Sequence, residues 1–275
     1  MLRTAVAHYR RQQRITTAAL AAANRFWRRG DVAGLTKLVA AAQQAAAQDA
    51  ATSVPLMLAE QGIPVDPVHV IVSALAGIAS DGRGLASLLE QAVNLRDMRL
   101  MVATQVQDAA RVSAGVAIAA RPRVTGYIRM LNPPSCSRCV LLAGKWFKWN
   151  AGFERHPKCD CRHVPTAEDQ ADDLRTHPDQ YFDSLTPDEQ DAAFGKAGAQ
   201  AIRDGADIGQ VVNARAGMST ASIGGRPVRI TTVGATRRRG ARPRLMPEQI
   251  YAIAGDDRAE ARRLLAGNGY IVGTF

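Results

Sequence analysis

The sequence predicts a mainly α-helical protein, with a helical N-terminal domain, a small central α+β module and a C-terminal region of short helices. Hydrophobic residues make up 47% of the 275 residues but aromatic residues only 5%, and alanine, the best helix former, is abundant. Turn-forming residues and all four cysteines concentrate in the middle of the chain. A chain of this length and apolar content can build its own core.

The N-terminal domain is predicted to span residues 1–123 and to contain four helices. Apolar residues recur there at helical spacing, with Asp31 placed to cap one helix and Pro67 suited to the first turn of another. Pro55 is expected to kink the second helix, and Arg121-Pro122 to end the fourth, which would be about 35 residues long. The predicted helices cover residues 2–29, 31–61, 66–82 and 85–120.

Three further segments follow from changes in composition. The module at 124–165 is rich in turn formers, and the acidic segment at 166–217 is predicted to be helical, starting at Thr166 and again at Thr186-Pro187. The region 218–275 contains an alternating β-branched stretch at 227–233 that predicts one arm of a hairpin. Two small helices, separated near Gly255, are expected to close the chain.

The charge balance indicates a polyanionic partner such as nucleic acid. The net charge is +10 and the pI is near 10. A proline- and glycine-broken run holds five arginines that are predicted to contact phosphates: Arg237, Arg238, Arg239, Arg242 and Arg244. A solvated loop or a contact with an acidic protein remains an alternative. The acidic stretch at 166–207 argues against one uniform DNA-binding face.

Cysteine placement and hydropathy bear on the compartment. The N-terminus lacks the apolar region and cleavage site of a secretory signal, and no apolar run is long enough to span a bilayer. We therefore expect a protein that stays inside a cell and has no membrane segment. All four cysteines fall between residues 136 and 161, and in a reducing compartment such clustering favours a metal site over disulfides.

The cysteine segment predicts a structural zinc site. It reads CSRC at 136–139 and HPKCDCRH at 156–163, and thiolates with imidazole select zinc. The predicted ligands are Cys136 and Cys139 with two of His156, Cys159 and Cys161. The thiols suffice to fill a closed tetrahedron, and no HExxH-type base accompanies them, which favours a structural site over a catalytic one. Reduced core cysteines or a local disulfide are the alternatives.

These motifs resemble a known family. The run from Tyr127 to Pro165, with Cys136-x-x-Cys139, Gly144 and His156-x-x-Cys159-x-Cys161, resembles the phage Mu F-like (MuF) domain of minor head proteins of tailed phages. Residues 194–215 also resemble the segment that follows this domain in actinobacterial phage members. The family motif carries over to those five candidate ligands, and His163 is an addition.

The resemblance implies a minor head protein inside the capsid, made in the bacterial host cytoplasm and present in few copies per virion. The partners it implies are the portal protein, major capsid or scaffold proteins and, in some members, packaged double-stranded DNA. Relatives are also labelled capsid maturation proteases, and a zinc-dependent nuclease of the HNH kind is a further alternative. No nucleophile–base pair stands out and the usual adjacent Asp-His pair is absent, so no catalytic residue is predicted. A zinc-stabilised DNA-binding module outside any virion also stays open.

Overall fold

The computed structural model describes residues 2–131, 135–151, 162–167, 177–234 and 243–272. Within these ranges the chain is mainly helical and contains two small three-stranded sheets, which confirms the predicted mainly α class. It divides into two compact units. Unit 1 combines the described residues of Met1–Asn132 and Ala143–Arg175, and unit 2 those of Pro133–Leu142 and Thr176–Phe275. These units are discontinuous in sequence, whereas the four predicted segments are continuous.

Unit 1 is a helical bundle with a small antiparallel sheet. Its helices are α1 (Arg3–Arg28), α2 (Val32–Glu60), α3 (Leu85–Leu89) and α4 (Leu95–Ala119), and its strands are β1 (Gly126–Met130), β2 (Trp146–Lys148) and β3 (Arg162–Thr166). Helix α2 packs against both α1 and α4, and apolar side chains of these helices form the main core. Strand β1 lies in the centre of the sheet and is buried along its whole length.

The first two predicted helices are confirmed, and local signals explain their ends. Asp31 caps α2, because its side chain accepts a hydrogen bond from the Gly34 amide at 2.7 Å. Helix α2 runs through Pro55 and ends at Glu60, just before Gly62 with its φ of 72°. The buried residues of α1 recur every three or four positions, but they are small or polar, whereas the larger apolar residues on which the prediction rested, such as Ile15 and Leu20, are only partly buried.

The predicted third helix is wrong. Between α2 and α3 the chain forms only a short 3₁₀ turn, Val72–Leu75, and otherwise runs as loop. Glutamine side chains of the neighbouring helices bind its backbone: Gln43 accepts from the Gly77 amide and donates to the Ile78 carbonyl, both at 2.9 Å. Gln105 accepts from the Ser80 amide at 2.8 Å. The loop thus satisfies backbone groups through tertiary contacts instead of a helical ladder.

The predicted fourth helix is also wrong as a single element, since it is divided into α3 and α4. Asn94 separates them in an extended conformation, and its side chain accepts a hydrogen bond from the Asp97 amide at 2.9 Å. Asn94 is therefore the N-cap of α4, and Asp97 sits favourably in the positive first turn of that helix. The start of a helix at Thr166 is likewise wrong, because Thr166 is the last residue of β3.

A glycine in β1 predicts opposite effects for two similar substitutions. A Cβ on Gly126 would collide with the Phe147 carbonyl oxygen and the Trp146 ring, whereas one on Gly115 in α4 would meet open space. Gly126→Ala should lower the free energy of unfolding by about 2 kcal/mol through overpacking. Gly115→Ala should raise it by roughly 0.5 to 1 kcal/mol through helix propensity. Urea unfolding followed by circular dichroism measures both, and equal effects would contradict this packing.

Unit 2 contains the remaining elements. Its helices are α5 (Ser137–Leu142), α6 (Pro178–Asp183), α7 (Pro187–Phe194), α8 (Lys196–Arg203), α9 (Ile208–Ala214), α10 (Pro247–Ala254) and α11 (Arg258–Gly267). Its antiparallel strands are β4 (Met218–Ile223), β5 (Arg226–Thr231) and β6 (Arg244–Leu245). Asp204 joins several of these helices by accepting hydrogen bonds from Tyr251 at 2.6 Å and Arg258 at 2.7 Å.

Several predictions for unit 2 are confirmed by local geometry. Thr186 and Glu189 form a capping box at the start of α7. The hairpin β4–β5 turns through Gly224 and Gly225, whose φ angles of 57° and 76° suit the tight turn favoured by strand twist. The two closing helices are α10 and α11, with the break near Gly255 as expected.

Candidate functional site

Cys136 and Cys139 lie together at the start of α5. Their sulfur atoms are 3.4 Å apart, and the Val140 amide donates a hydrogen bond to the Cys136 carbonyl at 3.1 Å. This sulfur distance exceeds the ~2.05 Å of a disulfide. It is close to the roughly 3.8 Å that two thiolates bound to one tetrahedral zinc would have, given Zn–S bonds of about 2.3 Å. The pair therefore has a geometry that suits half of a zinc site.

The segment that carries these cysteines is anchored within unit 2. Helix α5 packs against α6 and α9, and the side chains of Cys139 and Val140 are buried. The Ser135 amide donates a hydrogen bond to the Tyr181 hydroxyl at 3.2 Å. The two thiols are thus presented by a fixed helical turn and not by an isolated loop.

The other three predicted zinc ligands, His156, Cys159 and Cys161, lie outside the described residues. The complete ligand set therefore stays a prediction. His163 lies in β3 opposite Arg129, and its ring centroid is 4.3 Å from that of Tyr127. Within the described ranges, no group of three or more His, Cys, Asp or Glu side chains is arranged to hold a metal ion.

Of the five arginines predicted to contact phosphates, the structure describes one. Arg237, Arg238, Arg239 and Arg242 are outside the described residues. Arg244 is only 2% exposed. Its guanidinium donates to Gln210 at 3.0 Å and to the Val233 carbonyl at 3.2 Å, and it lies 4.0 Å from the centre of the Tyr270 ring. In this position Arg244 holds unit 2 together, and the predicted contact with phosphates rests on the other four arginines.

A buried polar cluster in unit 1 was missed by sequence reasoning. His8 Nδ1 and Asp49 Oδ2 are 2.6 Å apart, Arg11 Nε donates to Asp49 Oδ1, and Gln12 Nε2 donates to Asp49 Oδ2 at 2.9 Å. One carboxylate of α2 thus holds three side chains of α1. Polar residues at positions 8 and 12 of a face that otherwise buries small residues are the signal that could have revealed it.

The electrostatics of this cluster follow from burial and hydrogen bonding. Burial raises the pKa of Asp49, but hydrogen bonds from His8, Arg11 and Gln12 outweigh this effect and lower the pKa below its usual range. Burial also lowers the pKa of His8, and Asp49 only partly opposes that shift. At neutral pH the cluster is therefore an ionised Asp49 that accepts a hydrogen bond from a neutral His8.

This arrangement clamps α1 to α2. A nucleophile activated by His8 would need a hydroxyl or thiol hydrogen-bonded to the imidazole. In the part of the chain that the structure describes, His8 has Asp49 as its side-chain partner and no such hydroxyl or thiol. The Ser53 hydroxyl instead donates to the Asp49 carbonyl at 2.6 Å and accepts from Arg11 at 3.0 Å.

Comparison with known proteins places the chain in a family. The sequence profile of the VG15 protein family matches residues 44–186, slightly more than half of the chain. The chain belongs to the VG15 protein family. It is therefore a phage protein, and this membership indicates association with the virion. No curated protein and no solved structure matched the chain.

The matched region of this VG15 protein contains all five predicted zinc ligands. It begins within α2 and ends just after α6, so it includes Asp49 but excludes α1 and the arginine-rich run after residue 234. None of the helices in the described ranges is both long and apolar enough to cross a membrane. The family match thus covers the cysteine segment, while α1 and the arginine-rich run lie outside it.

Proposed function

We propose that this VG15 protein is a minor head protein of a tailed phage, of the MuF-like kind, located inside the head near the portal. The observation that carries the proposal is the family match over residues 44–186. That region includes the whole stretch from Tyr127 to Pro165 whose motifs resemble the MuF domain. The family match and the MuF-like motifs therefore fall on the same part of the chain.

We further propose that a structural zinc ion stiffens the cysteine segment. Cys136 and Cys139 would supply two ligands, and two of His156, Cys159 and Cys161 would complete the tetrahedron. The sulfur separation of 3.4 Å and the fixed helical turn at α5 support this assignment. When bound, zinc supplies a cross-link between the two sequence segments that carry the cysteines.

The proposed partners are the portal protein and the major capsid or scaffold proteins, together with packaged double-stranded DNA. The net charge of +10 supports contact with DNA, and the loop with Arg237, Arg238, Arg239 and Arg242 is the surface that we assign to it from the sequence. In this account the protein acts by binding and occupies few positions per virion.

Co-expression with the portal protein of the same phage tests the proposal. The two proteins should co-elute on size-exclusion chromatography as a complex that persists at moderate salt. The portal protein of an unrelated phage is the control and should elute separately. Separate elution of the cognate pair, in the presence and absence of the major capsid protein, would overturn the assignment to the portal.

A further inference from the structure

All the charged residues of helix α1 are arginines. Its 26 residues contain six arginines and no acidic residue or lysine: Arg3, Arg10, Arg11, Arg14, Arg25 and Arg28. The buried side of the helix packs in unit 1 through small and polar residues such as Ala5, Ala19 and Ala23. Most of the arginine charge must therefore reside on the other side of the helix.

Four of these arginines form one exposed stripe, which we call the α1 arginine face: Arg10, Arg14, Arg25 and Arg28. All four are exposed. With 3.6 residues per turn they fall within roughly 60° of the helix circumference, and at 1.5 Å per residue they extend over about 27 Å of the axis. The stripe is thus narrow and straight. Its length equals about eight base-pair steps along the axis of duplex DNA, at 3.4 Å of axial rise each.

The charge of the α1 arginine face is not neutralised within the described residues. Arg3 pairs with Glu60 at 3.7 Å, and Arg11 pairs with Asp49. The four members of the face have no carboxylate within 4.0 Å in the described parts of the chain. A concentrated charge of this kind attracts a polyanion.

The side chains between the arginines distinguish between possible polyanions. Ala7, Gln13, Thr17, Ala18 and Ala21 line a shallow groove together with arginines of α1. These residues are small or polar. A stable protein interface usually has aromatic or large aliphatic anchors at its centre, whereas a phosphate backbone needs none. Guanidinium groups moreover bind phosphate oxygens in a bidentate manner.

Two sets of hydrogen bonds from α2 hold the helix that carries the α1 arginine face. At the start of α1, the amides of Arg3 and Thr4 donate to the Glu60 carboxylate at 2.8 and 2.9 Å. One to three turns later, Asp49 holds His8, Arg11 and Gln12. Both anchors come from α2 and hold residues 3–12 of α1, so binding in that half orders mainly the arginine side chains.

We propose that the α1 arginine face binds the phosphodiester backbone of duplex DNA. This inference rests on the proposed contact with packaged DNA. It names a DNA-binding surface in addition to the arginine-rich run. The contact is independent of base sequence, because the face offers charge and hydrogen-bond donors along a line, as phosphate contacts require. Each arginine that neutralises a phosphate releases counterions and steepens the salt dependence of binding.

Fluorescence anisotropy tests the inference with the full chain and a 24-base-pair duplex of arbitrary sequence, titrated at several salt concentrations. Replacing Arg10, Arg14, Arg25 and Arg28 by glutamine should reduce the magnitude of the log–log salt slope by about 3 to 4, since each lost phosphate contact removes about 0.9. A charge-matched control replaces four other exposed arginines by glutamine: Arg96, Arg226, Arg229 and Arg262. Its slope should change by less than 1. Thermal melts confirm that each variant folds.

The outcomes separate this inference from the proposed function. Equal loss of slope in the two quadruple variants would show that net charge alone acts, and the α1 assignment would be wrong. If only replacing Arg237, Arg238, Arg239 and Arg242 lowers the slope, the contact with DNA stands and the α1 face has no part in it. If the α1 variant binds DNA normally but no longer co-elutes with the portal protein, the face binds an acidic protein surface instead. A wild-type chain that binds no duplex overturns both DNA surfaces and leaves the portal experiment to decide the head-protein assignment.

Discussion

Replacing Asp49 by alanine is expected to lower the free energy of unfolding by about 3 kcal/mol. The carboxylate is the shared partner of His8, Arg11 and Gln12, and its side chain is only 12% exposed. Removing one member of a buried charged network leaves the others without compensation, which typically costs about 3 to 5 kcal/mol. The lower end applies because the Arg11 side chain is 39% exposed and can be solvated by water.

Urea unfolding monitored by circular dichroism measures this effect. Glu90→Ala removes the same charge from an exposed position at the end of α3 and should change the free energy of unfolding by less than 0.5 kcal/mol. Asp49→Asn keeps the shape of the side chain, and its effect on the free energy of unfolding should fall between those of the other two variants. An Asp49→Ala variant as stable as the control would mean that the clamp does not hold α1 to α2.

The second large effect concerns metal. Elemental analysis of the purified protein is expected to give about one zinc per chain, and Cys136→Ser or Cys139→Ser should reduce that content to near zero. Loss of one thiolate opens a closed tetrahedral site, and structural zinc contributes folding free energy directly. Chelation should accordingly lower the melting temperature of the wild type by several degrees or more.

Ser137→Ala is the matched control for the cysteine variants, because Ser137 lies between the two cysteines and is buried. It should retain the zinc and the melting temperature. A metal-free wild type would remove the zinc proposal. Zinc whose removal leaves the fold intact but abolishes hydrolysis of DNA or of capsid protein would instead favour the nuclease or protease alternatives.

The elements that sequence reasoning found are those with local signals. Asp31 caps α2 and α7 begins at Thr186, as predicted, and the Gly224-Gly225 turn closes the hairpin of which one arm was predicted. Each signal acts within four residues and needs no information about the rest of the fold. The two thiols of the Cys-x-x-Cys motif lie close together for the same reason, since one helical turn brings them there.

Two of the failures lie where distant residues decide the conformation. The loop before α3 depends on Gln43 and Gln105, which bind its backbone from helices far away in sequence. Arg244 follows a run of arginines that the sequence predicts to be exposed, yet contacts with the Tyr270 ring and Gln210 bury it in unit 2. Neither outcome is encoded in a short window, because tertiary partners override local preference.

The contact of Asp49 with α1 is a third feature that depends on distant residues and was not predicted from the sequence. A histidine and a glutamine on the buried side of α1 indicate a polar partner, but periodicity does not say which residue supplies it. That partner comes from the third quarter of α2, about 40 positions away. The basic stripe on the outer side of α1, by contrast, is visible in the sequence as soon as the helix is established.

The most direct test of the account is quantitative mass spectrometry of purified virions of the phage that encodes this protein. The chain should be present in a few copies, comparable with the portal protein and far fewer than the major capsid protein. It should also survive protease treatment of intact virions, as an interior protein would. A chain that is abundant in infected cells but absent from purified virions would contradict the central claim.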